Sequence, residues 1–287
     1  MFRAPKIIFL LLPALFFSSC GLKKMTVRAT SDVFETGMPV VERESEVDVA
    51  RTVSLVSLKQ MEAFLQSDPE NKKLLTLLTK AYGSYAFGFL EEDALRQRTV
   101  LPIKEEFYKR GLEFGLRALR LKKTDSLATF QKRAQHIGKK EVSALFWTAF
   151  NWSSVIRQKP DAPQNLIDLA KVNFMMQRVE VLVPHYQYGA VDAYFGAQES
   201  MKPAILGGSE EKAKKYFESA IQKGGEDYLM NTLLYLQFFA LDRDMDLARS
   251  LEEKILNADA AALPEQRLAN ELAKRRVPFL MREGKYE

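Results

Sequence analysis

Residues 207–225 read GGSEEKAKKYFESAIQKGG, and the order of residue types in this stretch decides the fold class. Gly207-Gly208 breaks the chain. Ser209 carries the side chain of a helix N-cap, whose oxygen accepts a backbone N–H that the first turn leaves without a partner. Glu210 and Glu211 follow, where the positive end of the helix dipole favours acids. Ala213, Tyr216, Phe217, Ala220 and Ile221 recur at i, i+3, i+4, i+7 and i+8, a single apolar stripe. Lys223 suits the negative end of the dipole, and Gly224-Gly225 supplies a residue able to take a positive φ beyond the last turn.

The same reading extends in both directions. Downstream it predicts a helix from about 226 to 241, a polar turn, a helix from about 244 to 257 capped by Asp244, and a last helix opened by Pro264. Pro278 is expected to kink or end that last helix. Upstream, helices are predicted near 49–67, 70–90, 102–122, 125–136, 140–158, 163–182 and 184–203, while strand-like alternation is nearly absent. The expected fold is all-α, about eleven helices joined by short turns.

The stripe also belongs to a repeat. Ala213, Phe217 and Ala220 form Ala-x3-Phe-x2-Ala, the second-helix pattern of a tetratricopeptide hairpin of about 34 residues. Gly111, Gly115 and Ala118 have the same spacing 102 residues earlier. Leu75, Leu78, Thr79 and Tyr82 fit the first-helix pattern, just after Asp68-Pro69. Tyr82 and Gly111 lie too far apart for one hairpin, so an insertion is expected from Gly83 to Lys104. Together these spacings predict cryptic tetratricopeptide-like hairpins stacked as a solenoid or bundle.

The N-terminus sets the compartment. Arg3 and Lys6 precede an apolar run from Ile7 to Phe17, broken only by Pro13, and Ser18-Ser19 precede Cys20-Gly21. This is the layout of a secretory signal, too short to span a bilayer. A cysteine at that position is where a bacterial lipoprotein receives its lipid. The expected organisation is a signal peptide over 1–19, a lipidated tether over 20–48 and a helical domain over 49–287. The tether reading rests on weak periodicity and on Gly37 and Pro39. Fully extended, such a tether reaches on the order of 90 Å.

Composition narrows the function. Cys20 is the single cysteine of 287 residues, so no internal disulfide can hold the fold. Removing 1–19 leaves 40 basic against 37 acidic residues, a net charge of +3 from the precursor's +5. A chain so nearly balanced, with no basic stripe, speaks against a nucleic-acid partner. His136 and His185 stand far apart and no metal-ligand spacing surrounds them, so no metal is expected. Asp242, Asp244, Asp246 and Glu253 imitate a calcium loop, but the turn glycine is replaced by Leu247, and a capped helix–helix turn is the better reading. Asn151-Trp152-Ser153 is a glycosylation sequon in form only, set inside an apolar helix. Gly207-Gly208 lacks the remainder of a phosphate loop, and no nucleophile stands beside a base. No catalytic residue and no cofactor are expected, and the chain reads as a binding protein.

YGSYAFGFLE (82–91), EVSALFWTAFNW (141–152), HYQYGA (185–190), Gly207-Gly208 and RLAN (267–270) occur in this order. In that order they resemble the T component, TatT, of tetratricopeptide-associated TRAP transporters, over roughly residues 50–280. Leu145 replaces a usually small residue and Ala149 a common glycine. The resemblance implies a lipoprotein facing the periplasm. It also implies a homotrimer around a pore, paired with a solute-binding P component that delivers organic or hydrophobic anions to an ion-driven permease. The alternative is a tetratricopeptide lipoprotein scaffold in envelope or outer-membrane biogenesis.

Two stretches crowd aromatic residues beside glycine. Tyr82, Tyr85, Phe87 and Phe89 form one, and His185, Tyr186, Tyr188 and Tyr194 the other. Close helix crossing accounts for such glycines, each costing up to about 1 kcal/mol relative to alanine inside a helix. The functional expectation is that these side chains line an apolar cavity or pore with a few polar contacts.

Overall fold

The helix predicted within residues 207–225 folds as read. A computed structural model describes residues 18–158 and 164–283. In it Ser209 Oγ accepts from the Lys212 amide at 3.2 Å and Gly225 follows the helix at φ +82°. The described residues form α1 (Ser18–Glu42), α2 (Val47–Ser67), α3 (Lys72–Tyr85), a π turn (Ala86–Leu90), α4 (Glu91–Arg96), α5 (Leu101–Leu119), α6 (Leu127–Ala134) and α7 (Val142–Arg157). Then come α8 (Asn165–Leu182), α9 (Tyr186–Met201), α10 (Glu210–Gly224), α11 (Leu229–Tyr235), a second π turn (Leu236–Ala240), α12 (Leu241–Arg243), α13 (Met245–Asn257) and α14 (Arg267–Glu283). The π turns join α3 to α4 and α11 to α12, leaving twelve rods and no strand among the described residues. The fold is all-α, as the sequence predicts. Asn71, Ser126 and Asp244 also cap their helices by accepting a first-turn amide, and Asp244 does so from Leu247 at 3.0 Å.

Small residues sit where the repeat spacing places them, because three helices meet there. Gly83 of α3 and Gly111 and Gly115 of α5 abut α7. A Cβ on Gly111 would lie 2.6 Å from Asn151 Nδ2, and one on Gly115 2.0 Å from Thr148 Oγ1. In the second half Ala213, Phe217 and Ala220 are fully buried against α9, with the ring of Phe217 3.0 Å from the place a Gly196 Cβ would take. Substituting Phe217 by Ala in such a core costs about 3–5 kcal/mol.

One expectation is corrected and two are narrowed. The segment read as a tether is helical from Ser18 to Glu42. Val27, Ser31, Phe34, Met38 and Val41, spaced by four and three, face the body, with Val27 and Ser31 buried and Phe34 edge-on to Phe64 at 5.9 Å. Ser31 interrupts the apolar count, but its hydroxyl donates to the Val27 carbonyl at 2.7 Å and so needs no solvent. Lys73 of α3 pairs with Asp32 and Glu35, and Lys80 with Glu42, which fixes α1 along its length. Helix geometry shortens the reach as well, at about 1.5 Å per residue. The expected insertion Gly83–Lys104 is largely a continuation of α3 through the first π turn into α4. Pro278 does not end α14, which runs on to Glu283. Val277, Leu280 and Met281 are buried around it and outweigh the one lost backbone hydrogen bond. Residues 1–17 of the expected signal and the side chain of Cys20 lie outside the described residues.

Helix α14 also closes the array. Arg275 pairs with Glu92 (2.8 Å) and Asp48 (3.0 Å), and the Arg96 guanidinium lies 4.2 Å from the Phe279 ring. Helix α14 thus docks on the first third of the chain, and the helices border a partly open space.

Candidate functional site

That space is a cavity of about 1510 Å³, larger than the 300–1,000 Å³ common for small-molecule sites. Its walls come from α1, α2, α3 with its π turn, α7, α8, α9, α11 with its π turn, and α14. Met61, Phe87, Phe146, Trp147, Phe150, Leu234 and Phe238 make them largely apolar. Polar side chains punctuate them, among them Gln187, Lys202 and Glu199, whose Oε2 is buried without a hydrogen-bond partner. Lys80 and Glu42 form an ion pair at 2.7 Å. Tyr194 donates to Asn173 Oδ1 at 2.6 Å, an oxygen that also accepts from Gln198 at 3.0 Å. Burial pushes the Tyr194 hydroxyl pKa well up, so it stays a neutral donor.

Four of the eight aromatic and histidine candidates lie on the wall: Tyr85, Phe87, Phe89 and Tyr194. The other four do not. Tyr82 is fully buried between Phe107 and Phe114, with its hydroxyl donating to Glu62, because its face of α3 turns toward α5. His185 is exposed. Tyr186 packs on Phe146 at 5.2 Å and Tyr188 stacks on Tyr228 at 4.6 Å, each against a ring that itself lines the cavity.

The second motif is used through its backbone. His185, Gln187, Tyr188 and Gly189 all take positive φ, a left-handed turn at the start of α9. Such a conformation costs roughly 1–2 kcal/mol per non-glycine residue. Asn231 holds it. Its amide donates to the Tyr188 and Ala220 carbonyls, both at 2.7 Å. The turn carries Gln187 onto the cavity wall.

Both π turns present an aromatic ring to the cavity with an arginine against it. Arg276 lies 4.9 Å from the Phe87 ring and donates to the Phe87 and Gly88 carbonyls. It is 1% exposed, and its Nε and Nη1 have no hydrogen-bond partner. Arg157 lies 5.3 Å from the Phe238 ring, and it lines the cavity. Glu91 joins the two turns. It accepts from Tyr108 at 2.9 Å, from Arg157 at 2.7 Å and from Lys104 at 3.1 Å. Burial alone raises the carboxyl pKa, but Arg157, Lys104 and Arg276 outweigh it and hold the pKa down at about 2.

Sequence reasoning missed Arg157, Asn231 and Asn151. The side chain of Asn151, dismissed as a sequon, is fully buried and donates to the Thr79 and Trp147 carbonyls. A lone Arg at the end of an apolar helix gives no signal that separates a cavity residue from a solvated helix terminus. No described helix is long and apolar enough to cross a membrane. A comparison with curated proteins finds none that matches the chain. The family model described as TRAP transporter T-component matches residues 43–285, nearly everything from α2 to the end of α14, so the chain belongs to that family and is a membrane-associated accessory component of a TRAP transporter.

Proposed function

We propose that this T component is a lipid-anchored subunit facing the periplasm, which docks the solute-binding P component and shelters or passes its ligand through the central cavity. The observation that carries the reading is the 1510 Å³ apolar cavity inside a transporter component. Val33, Val40 and Val53 support docking at its edge. They line the cavity, yet are 68%, 71% and 44% exposed, and exposed apolar side chains in a cluster favour a partner that covers them. A homotrimer, implied by the resemblance, is part of the proposal. Cys20 is the proposed lipid site, and α1 then holds the body near the membrane, with the buried Val27 about 10 Å along the helix from the anchor.

The reading expects an exported α/β solute-binding protein encoded beside this chain and a permease gene. Mixed with that protein, the full chain should give a stable complex whose mass, measured by light scattering, fits a trimer carrying P components. Recovery of barrel-assembly proteins from native membranes, with no solute-binding protein retained, overturns it. Cys20→Ser should move the mature chain from the membrane to the soluble fraction.

A further inference from the structure

The two arginines at the π turns differ in one respect that bears on a ligand. Arg276 is sealed behind Phe87, whereas the Arg157 side chain is 31% exposed and forms part of the cavity wall. One Nη of Arg157 is committed to Glu91 in the hydrogen bonds described. A guanidinium carries five N–H donors in a planar fork, so the exposed remainder of the fork has donors to offer the cavity. The local charge is also unbalanced. Lys104, Arg157 and Arg276 gather around the single carboxylate Glu91, while the neighbouring Glu92 is taken by Arg96 and Arg275. Lys104, Arg157, Arg276, Arg96 and Arg275 outnumber Glu91, Glu92 and Asp48, so positive charge is in excess beside an apolar space. The low dielectric of such a wall strengthens any pairing made there.

We infer that Arg157 is the head-group residue of this cavity, and that the ligand is an organic anion with one acidic head and a large apolar body. The head pairs with the free edge of the guanidinium, while Phe238 beneath and Glu91 beside it hold the plane in place. The body lies along Phe87, Phe150 and Leu234. This assignment rests on the reading of the cavity as a ligand shelter and on the organic-anion class that the resemblance implies, and it goes further by naming the residue that receives the charge.

Dodecanoate and dodecan-1-ol, equal in chain length and different in head, separate the two claims when titrated calorimetrically into the purified full chain. The acid should bind about tenfold tighter or more, the margin of a charge-assisted hydrogen bond. Arg157→Met should remove that margin, while Arg157→Lys should keep part of it. Equal binding of acid and alcohol by the unaltered chain overturns the inference and leaves the shelter intact, without depending on whether any variant folds. A margin that survives in Arg157→Met overturns the assignment to this residue. Binding of neither probe overturns both the inference and the shelter.

Discussion

The two halves of the molecule solve the same packing problem with different backbones. In the first, Gly83, Gly111 and Gly115 let α3 and α5 close on α7, and Asn151 ties α7 to the Thr79 carbonyl of an uninterrupted helix. In the second, Asn231 ties α11 to the Tyr188 carbonyl, which belongs to a left-handed turn rather than to a helix. Each half then bends through a π turn that presents an aromatic ring to the cavity. Behind the first ring the arginine is buried, and beside the second it is open to the cavity. An asparagine between helices thus serves as a joint in one half and as a clamp on a strained turn in the other. An arginine at a π turn is structural or available to a ligand according to whether the wall covers it. π turns concentrate at functional sites in other proteins, and here they shape the cavity wall.

The comparison predicts where each half is fragile. Glu91, shared by both, should show the largest effect. Glu91→Gln leaves Lys104, Arg157 and Arg276 without their central counter-charge and should cost about 3–5 kcal/mol in denaturant unfolding at neutral pH. Because the folded pKa of Glu91 is held below its unfolded value, its stabilisation is present above the ordinary carboxylate range and is lost as pH falls through the folded value of about 2. Urea titrations from pH 5 downward should therefore show an acid limb of roughly 3 kcal/mol in the unaltered chain. Glu91→Gln should lack that limb, and an identical limb in the variant would remove Glu91 as its source.

The paired asparagines come next. Asn231→Ala leaves two carbonyls without their donor and frees the strained turn, for a loss of about 2–3 kcal/mol. Asn151→Ala also loses two hydrogen bonds, but it removes a buried Oδ1 that has no partner, so about 1 kcal/mol is expected. Equal losses in the two variants would end the distinction between joint and clamp. The smallest effect tests the turn itself. Gln187 sits at φ 48°, and Gln187→Gly should stabilise the protein by about 0.5–1 kcal/mol, read as a rise in Tm, since glycine takes that conformation without penalty.

How far the sequence reveals the molecule varies from segment to segment. Helix α10 could be delimited almost to the residue because cap, stripe and terminal glycines agree. Helix α1 could not, because its face contains Ser31, satisfied by its own backbone, and because Gly37 and Pro39 imitate a linker. Phe87 and Tyr194 were identified among the candidates by aromatic crowding, but the same crowding included Tyr82, whose helix face turns away from the cavity. His185 to Tyr188 gave a motif whose meaning lies in backbone dihedrals, which side-chain chemistry does not display.

By itself the sequence determined the helical class, most helix positions, the small-residue crossings and the resemblance that the family match bears out. These depend on local propensity and on spacing within one helix or one hairpin, and both are written in consecutive residues. Tertiary structure alone decided that α14 returns to the first third, that the array holds a cavity, and that Arg157 opens onto it while Arg276 does not. Contacts between distant residues, such as Arg275 with Glu92 across 183 positions and Arg157 with Glu91 across 66, set those outcomes. No periodicity records a pairing over that distance, because it follows from how twelve rods pack together and not from any one of them.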